Sequence, residues 1–128
     1  MAFDPVAFID TGEELLQALS GTPRLASNLD QAKVRTSIGR SYYGAYLVAR
    51  ERLHSLGRVV PTGTPQDHQL IIAALGGLGT ELGSKLDRLR AKRNKADYNL
   101  NPRGFTLVSG QLWARVAREL IDELDALQ

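Results

Sequence analysis

Apolar residues recur at spacings of three and four along most of the chain, and no useful length alternates with period two, so the pattern predicts helices throughout. The longest stripe joins Val34, Ile38, Tyr42, Ala45, Ala49 and Leu53. It predicts a long helix from about Arg24 to about Leu56, with Pro23 suited to its first turn and Gly57 stopping it. Ahead of it, Thr11 followed by Glu13 and Glu14 reads as a helix start, and Leu15, Leu16 and Leu19 give a short apolar face ending near Ser20-Gly21. Arg58 to Pro65 reads as a loop. Thr64 as cap and Pro65 at the first helical position predict a third helix from Pro65 to Leu75, closed by Gly76-Gly77, and Gly79 to Gly83 reads as loop or weak turn. A fourth helix carries Leu82, Leu86 and Leu89 and stops before Pro102; Asn99 to Gly104 is a turn. The last, from about Leu107 to Ala126, shows Val108, Leu112, Val116, Leu120 and Leu124, with Trp113 and Ile121 widening the face. The expected fold is all-α, an up-and-down four-helix bundle with an additional short N-terminal helix, in a single domain spanning 1–128. Leu47, Val48 and Trp113 suit either its core or a dimer interface.

One position breaks the pattern. The stripe of Leu82, Leu86 and Leu89 continues to Arg93 and Ala96, so a guanidinium points where leucine is expected. An unpaired buried charge costs several kcal/mol, so Arg93 must be paired, line a wet groove or end the buried region. Asp97, one turn on, can supply the partner, although Arg before Asp is the weaker order along a helix.

With 128 residues, 43% of them hydrophobic, the chain is long enough for one core without staples. It contains no cysteine, which excludes thiol nucleophiles, zinc–cysteine sites and disulfides and fits a reducing cytoplasm. No apolar run approaches a membrane span, and the start of the chain, with Asp4 and Pro5 and no basic region, does not read as a signal peptide; a cytoplasmic protein is expected. The net charge of +2 matters less than its distribution. Between Lys85 and Tyr98, six basic residues (Lys85, Arg88, Arg90, Lys92, Arg93, Lys95) accompany Asp87 and Asp97, whereas Glu119, Asp122, Glu123 and Asp125 make the last helix acidic. These are either two oppositely charged solvated faces packing near each other or an anion-binding surface.

Three of the four tyrosines, Tyr42, Tyr43 and Tyr46, lie among Ser37, Ser41, Gly44 and Ala45. Small residues let another helix approach, and the rings suit the tight centre of a bundle or, alternatively, contact with a ligand or base. His54 and His68 have no second ligand at metal-like spacing and read as structural or exposed, so no metal site is expected. Gly76-Gly77-Leu78-Gly79 lacks the lysine and preceding strand of a phosphate loop. No cofactor is expected either.

The pairing of Ser41-Tyr42-Tyr43-Gly44-Ala45-Tyr46 on one helix with Arg93-Asn94-Lys95-Ala96-Asp97-Tyr98 on a later one resembles the HEPN superfamily, in particular its small stand-alone bacterial members with an Arg-x-x-Ala-Asp-Tyr signature. The resemblance covers residues 25 to 125. It implies a helical bundle that forms a homodimer, with two motif helices over a shared groove, in a toxin–antitoxin or other defence setting. Catalytic members use an arginine, a polar residue after it and a histidine a few positions on. Arg93 and Asn94 match the first two, and Tyr98 stands where the histidine belongs. Cleaving RNA needs a base near the 2′-hydroxyl, a proton donor and positive charge on the phosphorane, and Arg93 can supply the charge. A tyrosine, with an ordinary pKa near ~10, becomes a base at neutral pH only when cations lower it.

The leading expectation is an RNA- or polyanion-binding domain using Arg93, Asn94 and Lys95 with Arg90 and Lys92, Arg93 being held by Asp97 and Tyr98 and supported by Tyr42, Tyr43 and Tyr46. One alternative makes Arg93, Asp97 and Tyr98 a buried structural network in an interaction subunit that pairs with a nucleotidyltransferase-type partner. The other is a metal-independent ribonuclease toxin in which Tyr98, or a residue from elsewhere, replaces the histidine.

Overall fold

The computed structural model describes residues 2–19 and 27–127. These form five helices, α1 (Val6–Gln17), α2 (Asn28–Ser55), α3 (Asp67–Leu78), α4 (Thr80–Tyr98) and α5 (Leu107–Ala126), and no strand. The all-helical expectation therefore holds for the described residues, and none of these helices is long and apolar enough to cross a membrane.

All six residues of the α2 stripe are buried, and they face α1, α3, α4 and α5 in turn. Around Tyr42, Ala45, Ala49 and Leu53 gather Ile9 from α1, Ile71 and Leu75 from α3, Leu82, Leu86 and Leu89 from α4, and Leu120 and Leu124 from α5. Each fully buried aliphatic side chain of this kind contributes about 1.5–3 kcal/mol. A second cluster, Leu16, Val34, Ile38, Ala96 and Phe105, adjoins the first, and Trp113 packs against both.

The boundaries depart from expectation where backbone geometry outweighs local signals. Helix α1 starts at Val6, well before Thr11, because Asp4 accepts the Val6 N–H at 3.0 Å and Pro5 fits the entry; Thr11 sits inside the helix with its hydroxyl on the Ala7 carbonyl. The Ser20-Gly21 ending and the Pro23–Arg24 beginning lie outside the described residues. Extended Ser27 caps α2, its hydroxyl accepting from the Asp30 N–H.

Helix α3 begins at Asp67 rather than Pro65. Its carboxylate accepts the Thr62 and Gly63 N–H groups and the Thr62 hydroxyl, which closes the preceding turn. The helix does not stop at Gly76-Gly77 but runs on to Leu78, and α4 begins at Thr80, where a loop was expected. The two helices cross closely at Gly83: a Cβ added there would lie 3.0 Å from the Gly76 nitrogen and the Ile72 carbonyl of α3, while one at Gly76 or Gly77 would meet nothing. Gly83 thus serves contact rather than a turn. The α1–α2 crossing uses the same device, since a Cβ at Gly12 would lie 2.9 Å from the Ser37 carbonyl and one at Gly44 2.7 Å from Ile9 Cγ1.

Helix α5 has the expected ends, fixed by a reciprocal cap between Thr106 and Ser109. Its buried face is rotated from the expected stripe. Val108 and Leu112 are exposed, and Ala114, Ala117 and Ile121 turn inward beside Leu120 and Leu124, because small residues let α5 lie close to α2. The bland account of the charge pattern holds for Lys85, which reaches from α4 to Glu123 and, at 4.0 Å, Glu119 on the acidic α5.

Candidate functional site

Tyr42 and Tyr46 are one turn apart on α2, so both rings project from the same side. His68, in the first turn of α3, lies against them: its ring stacks on Tyr46 with centroids 4.2 Å apart, and its Nδ1 is hydrogen-bonded to the Tyr42 hydroxyl. Tyr42 and Tyr46 are buried, while His68 is half-buried. Tyr43, half-exposed, touches the Tyr46 ring at a tilt with centroids 6.2 Å apart and stacks on Phe8 of α1 with Arg40 over both rings.

Helix α4 brings two guanidinium groups to the aromatic cluster. Arg93 lies 5.8 Å from the centre of the Tyr42 ring, at the outer limit of a cation–π contact. Arg90, one turn earlier and half-buried, bears electrostatically on Tyr42 and His68. Burial pushes the Tyr42 hydroxyl well above the ordinary tyrosine range and raises that of Tyr46, with Arg90 opposing the rise at Tyr42 and the Asp67 carboxylate adding to it at Tyr46. Burial also holds the His68 imidazole below its usual range, reinforced by Arg90 and then Arg93. Both partners of the Tyr42–His68 hydrogen bond are therefore neutral at pH 7.

The Arg93 problem has a mixed resolution. Its Nε meets Asp97 at 3.1 Å, and its Nη1 donates to Asn94 Oδ1 at 3.4 Å, yet its side chain retains 34% of its exposure. The arginine is thus at the edge of the core, held on one side and open on the other. Tyr98, at the end of α4, is 78% exposed and makes no hydrogen bond to Arg93, which Asp97 and Asn94 hold. Asn94 and Lys95 are exposed, with Lys95, Tyr98 and Leu100 lining a shallow open depression.

Lys92, roughly opposite Arg90 around the helix, is drawn to another structure. It donates to the Gly104 carbonyl at 3.2 Å and lies 4.4 Å over the Phe105 ring, whose other contact is Arg35 at 4.1 Å. Burial, with Lys95 and Arg35 nearby, lowers the Lys92 ammonium below its usual range. Arg35 also binds the Ala96, Asn99 and Asn101 carbonyls, capping the negative end of α4 and fixing the turn after the motif.

The chain matches no protein-family model, no curated protein and no solved structure.

The site is therefore judged on its own residues. Structure brings together Arg90, Arg93, Tyr42 and Tyr46 from the sequence reading, keeps Tyr43 at their margin through its ring contact with Tyr46, and leaves Lys92 and Tyr98 apart from them. It adds His68, which pattern analysis passed over because nothing near it in sequence signals a partner; only the folding of α3 onto α2 supplies one. It also adds Arg35, whose signal was no more than a cation on a half-buried helix. Carboxylates near the two arginines are few. Asp97 is occupied by Arg93, and Asp67 by its own turn. The local balance is cationic, with donors predominating over acceptors. Such a surface suits an anion of the size and charge of a phosphate. Among the described residues there is no group of three His, Asp or Glu side chains placed to hold a metal ion.

Proposed function

We propose that this chain is a HEPN-like domain, an up-and-down helical bundle that binds RNA through the α4 face bearing Arg90, Arg93, Asn94 and Lys95. The observation that carries the reading is Arg90: a half-buried guanidinium beside Arg93 that forms no ion pair or hydrogen bond with any described residue. A cation left in that state has lost hydration without gaining a partner, and a phosphate oxygen would restore both charge balance and hydrogen bonding. Lys95 and Asn94 extend the face toward solvent, where a polyanion can track along it. Helix α4 stays rigid under this load because Arg35 fixes its end.

The buried-network alternative is less well supported, since Arg93 retains a third of its exposure and Tyr98 takes no part. The reading includes a homodimer, for which exposed Tyr98 and Leu100 at the end of α4 offer apolar surface. Fluorescence anisotropy with a short single-stranded RNA at low salt tests the function. Binding that weakens severalfold in Arg93→Ala is the expected result, and equal binding by both proteins refutes it.

A further inference from the structure

The RNA-binding face accounts for the arginines but leaves His68 and Tyr42 unexplained. A histidine stacked on one tyrosine and bonded to another could be packing alone, were all its polar atoms satisfied. They are not. Its Nδ1 is occupied by Tyr42, whereas Nε2 has no partner among the described residues. Nor is Nε2 sealed from solvent: the side-chain atoms that are both buried and unpartnered are Ser37 Oγ and Ser41 Oγ. The hydrogen bond to Tyr42 decides what Nε2 can do. No other acceptor among the described residues meets the Tyr42 hydroxyl, so donation to Nδ1 is the arrangement that satisfies its proton, and it leaves the neutral imidazole's own proton on Nε2. An N–H donor is thereby presented on a ring bonded to Tyr42, whose own ring has the Arg93 guanidinium 5.8 Å from its centre.

We infer that Arg90, Arg93 and the solvent-accessible Nε2–H of His68 form a single phosphate-binding site, with Tyr42 as the positioning residue that selects the imidazole tautomer. The inference rests on the RNA-binding reading and assigns its site a third ligand from a helix outside the Arg-x-x-Ala-Asp-Tyr segment. Every charged or titratable group against His68 fits this role. On α2 they are Tyr42 and Tyr46, both held protonated by burial. On α3 there is Asp67, whose carboxylate is engaged by Thr62 and Gly63, and on α4 there are Arg90 and Arg93, the latter shared with Asp97. In the free protein burial, and after it the two arginines, disfavour a charged imidazole, while the Asp67 carboxylate opposes them. A bound phosphate cancels their field and accepts from the imidazole, so binding should take up a proton and strengthen as pH falls from about 7 toward 5. A phosphodiester keeps one charge throughout that range, so the pH dependence reports the protein.

The test is an NMR titration of the two histidines in the full chain, with and without a short single-stranded RNA lacking terminal phosphates. The ring nitrogen signals should show the Nε2–H tautomer in the free protein and lose that preference in Tyr42→Phe. RNA should raise the pKa of His68, and His68→Gln should weaken RNA binding by about tenfold near pH 5.5, one charge-assisted hydrogen bond, and by less at pH 8. RNA that binds without moving His68, with equal affinity for His68→Gln across the pH range, overturns the inference while leaving the RNA-binding reading intact. If RNA does not bind at low salt, that reading fails, and inorganic phosphate becomes the probe. A rise in the His68 pKa with phosphate, abolished in Arg90→Gln, then supports a site for free phosphate; no response overturns it. Arg90→Gln lies on a half-buried surface and serves as the second variant should His68→Gln fail to fold.

Discussion

Replacing Arg93 by alanine separates a groove arginine from a buried structural one. The Arg93–Asp97 pair has 3.1 Å geometry, but its partners keep 34% and 39% exposure. Half-exposed helical pairs contribute about 0.3–0.5 kcal/mol, and the Arg-before-Asp order puts this one at the lower end. At 5.8 Å from the Tyr42 centroid, the cation–π contact adds about 0.5 kcal/mol. Alanine returns a few tenths through its helix propensity, roughly 0.2 kcal/mol. The net loss is below ~1 kcal/mol, corresponding to less than about 5 °C in Tm for a domain of this size. An arginine buried with its carboxylate would instead cost about 3–5 kcal/mol on truncation. Urea unfolding followed by far-UV circular dichroism measures the difference at constant pH. A loss above ~3 kcal/mol would refute the placement of Arg93 at an open edge and return it to the core.

Arg35→Ala should be far more damaging than Arg93→Ala. It removes three carbonyl contacts and the stack on Phe105, an expected loss of about 2–3 kcal/mol, with faster amide exchange near 96–105; unchanged exchange there would contradict its capping role. Gly12→Ala should cost about 1–3 kcal/mol, since its Cβ would meet the immovable Ser37 carbonyl, and a neutral outcome in chemical denaturation would show that the helices can part freely. Ser41→Ala, which deletes a buried hydroxyl without a partner, should be neutral or stabilising by up to ~1 kcal/mol; a clear loss would reveal a hydrogen bond at that site. Because His68 binds protons more weakly in the folded chain, stability should rise with pH through the window just below about 6.5, and because Tyr42 and Tyr46 hold theirs more tightly, it should fall above about pH 10. Urea midpoints against pH for wild type, His68→Gln and Tyr42→Phe check both limbs, each variant flattening its own.

Much of this architecture was legible from periodicity. The α2 stripe is buried throughout because each of its residues faces a neighbouring helix, and α5 ends as expected because Thr106 and Ser109 are a cap encoded within four residues. What failed were inferences from residue types with more than one use. Gly76 and Gly77 read as a stop, whereas α3 runs through them to Leu78 and it is Gly83 of α4 that the close α3–α4 crossing requires to be glycine. Thr11 read as a cap, although Asp4 had already started the helix. The motif arginine was visible as a break in an apolar stripe. His68 was not, because its partners lie on α2 and α4 and nothing in its own helix records them.

The central claim is that Arg90 and Arg93 meet nucleic-acid phosphate, and the salt dependence of RNA binding tests it most directly. For single-stranded RNA each neutralised phosphate contributes about −0.7 to the slope of log K against log salt. The Arg90→Gln/Arg93→Gln double variant, which empties one phosphate site, should therefore bind more weakly with a slope shallower by about 0.7, whereas a slope equal to wild type would contradict the account.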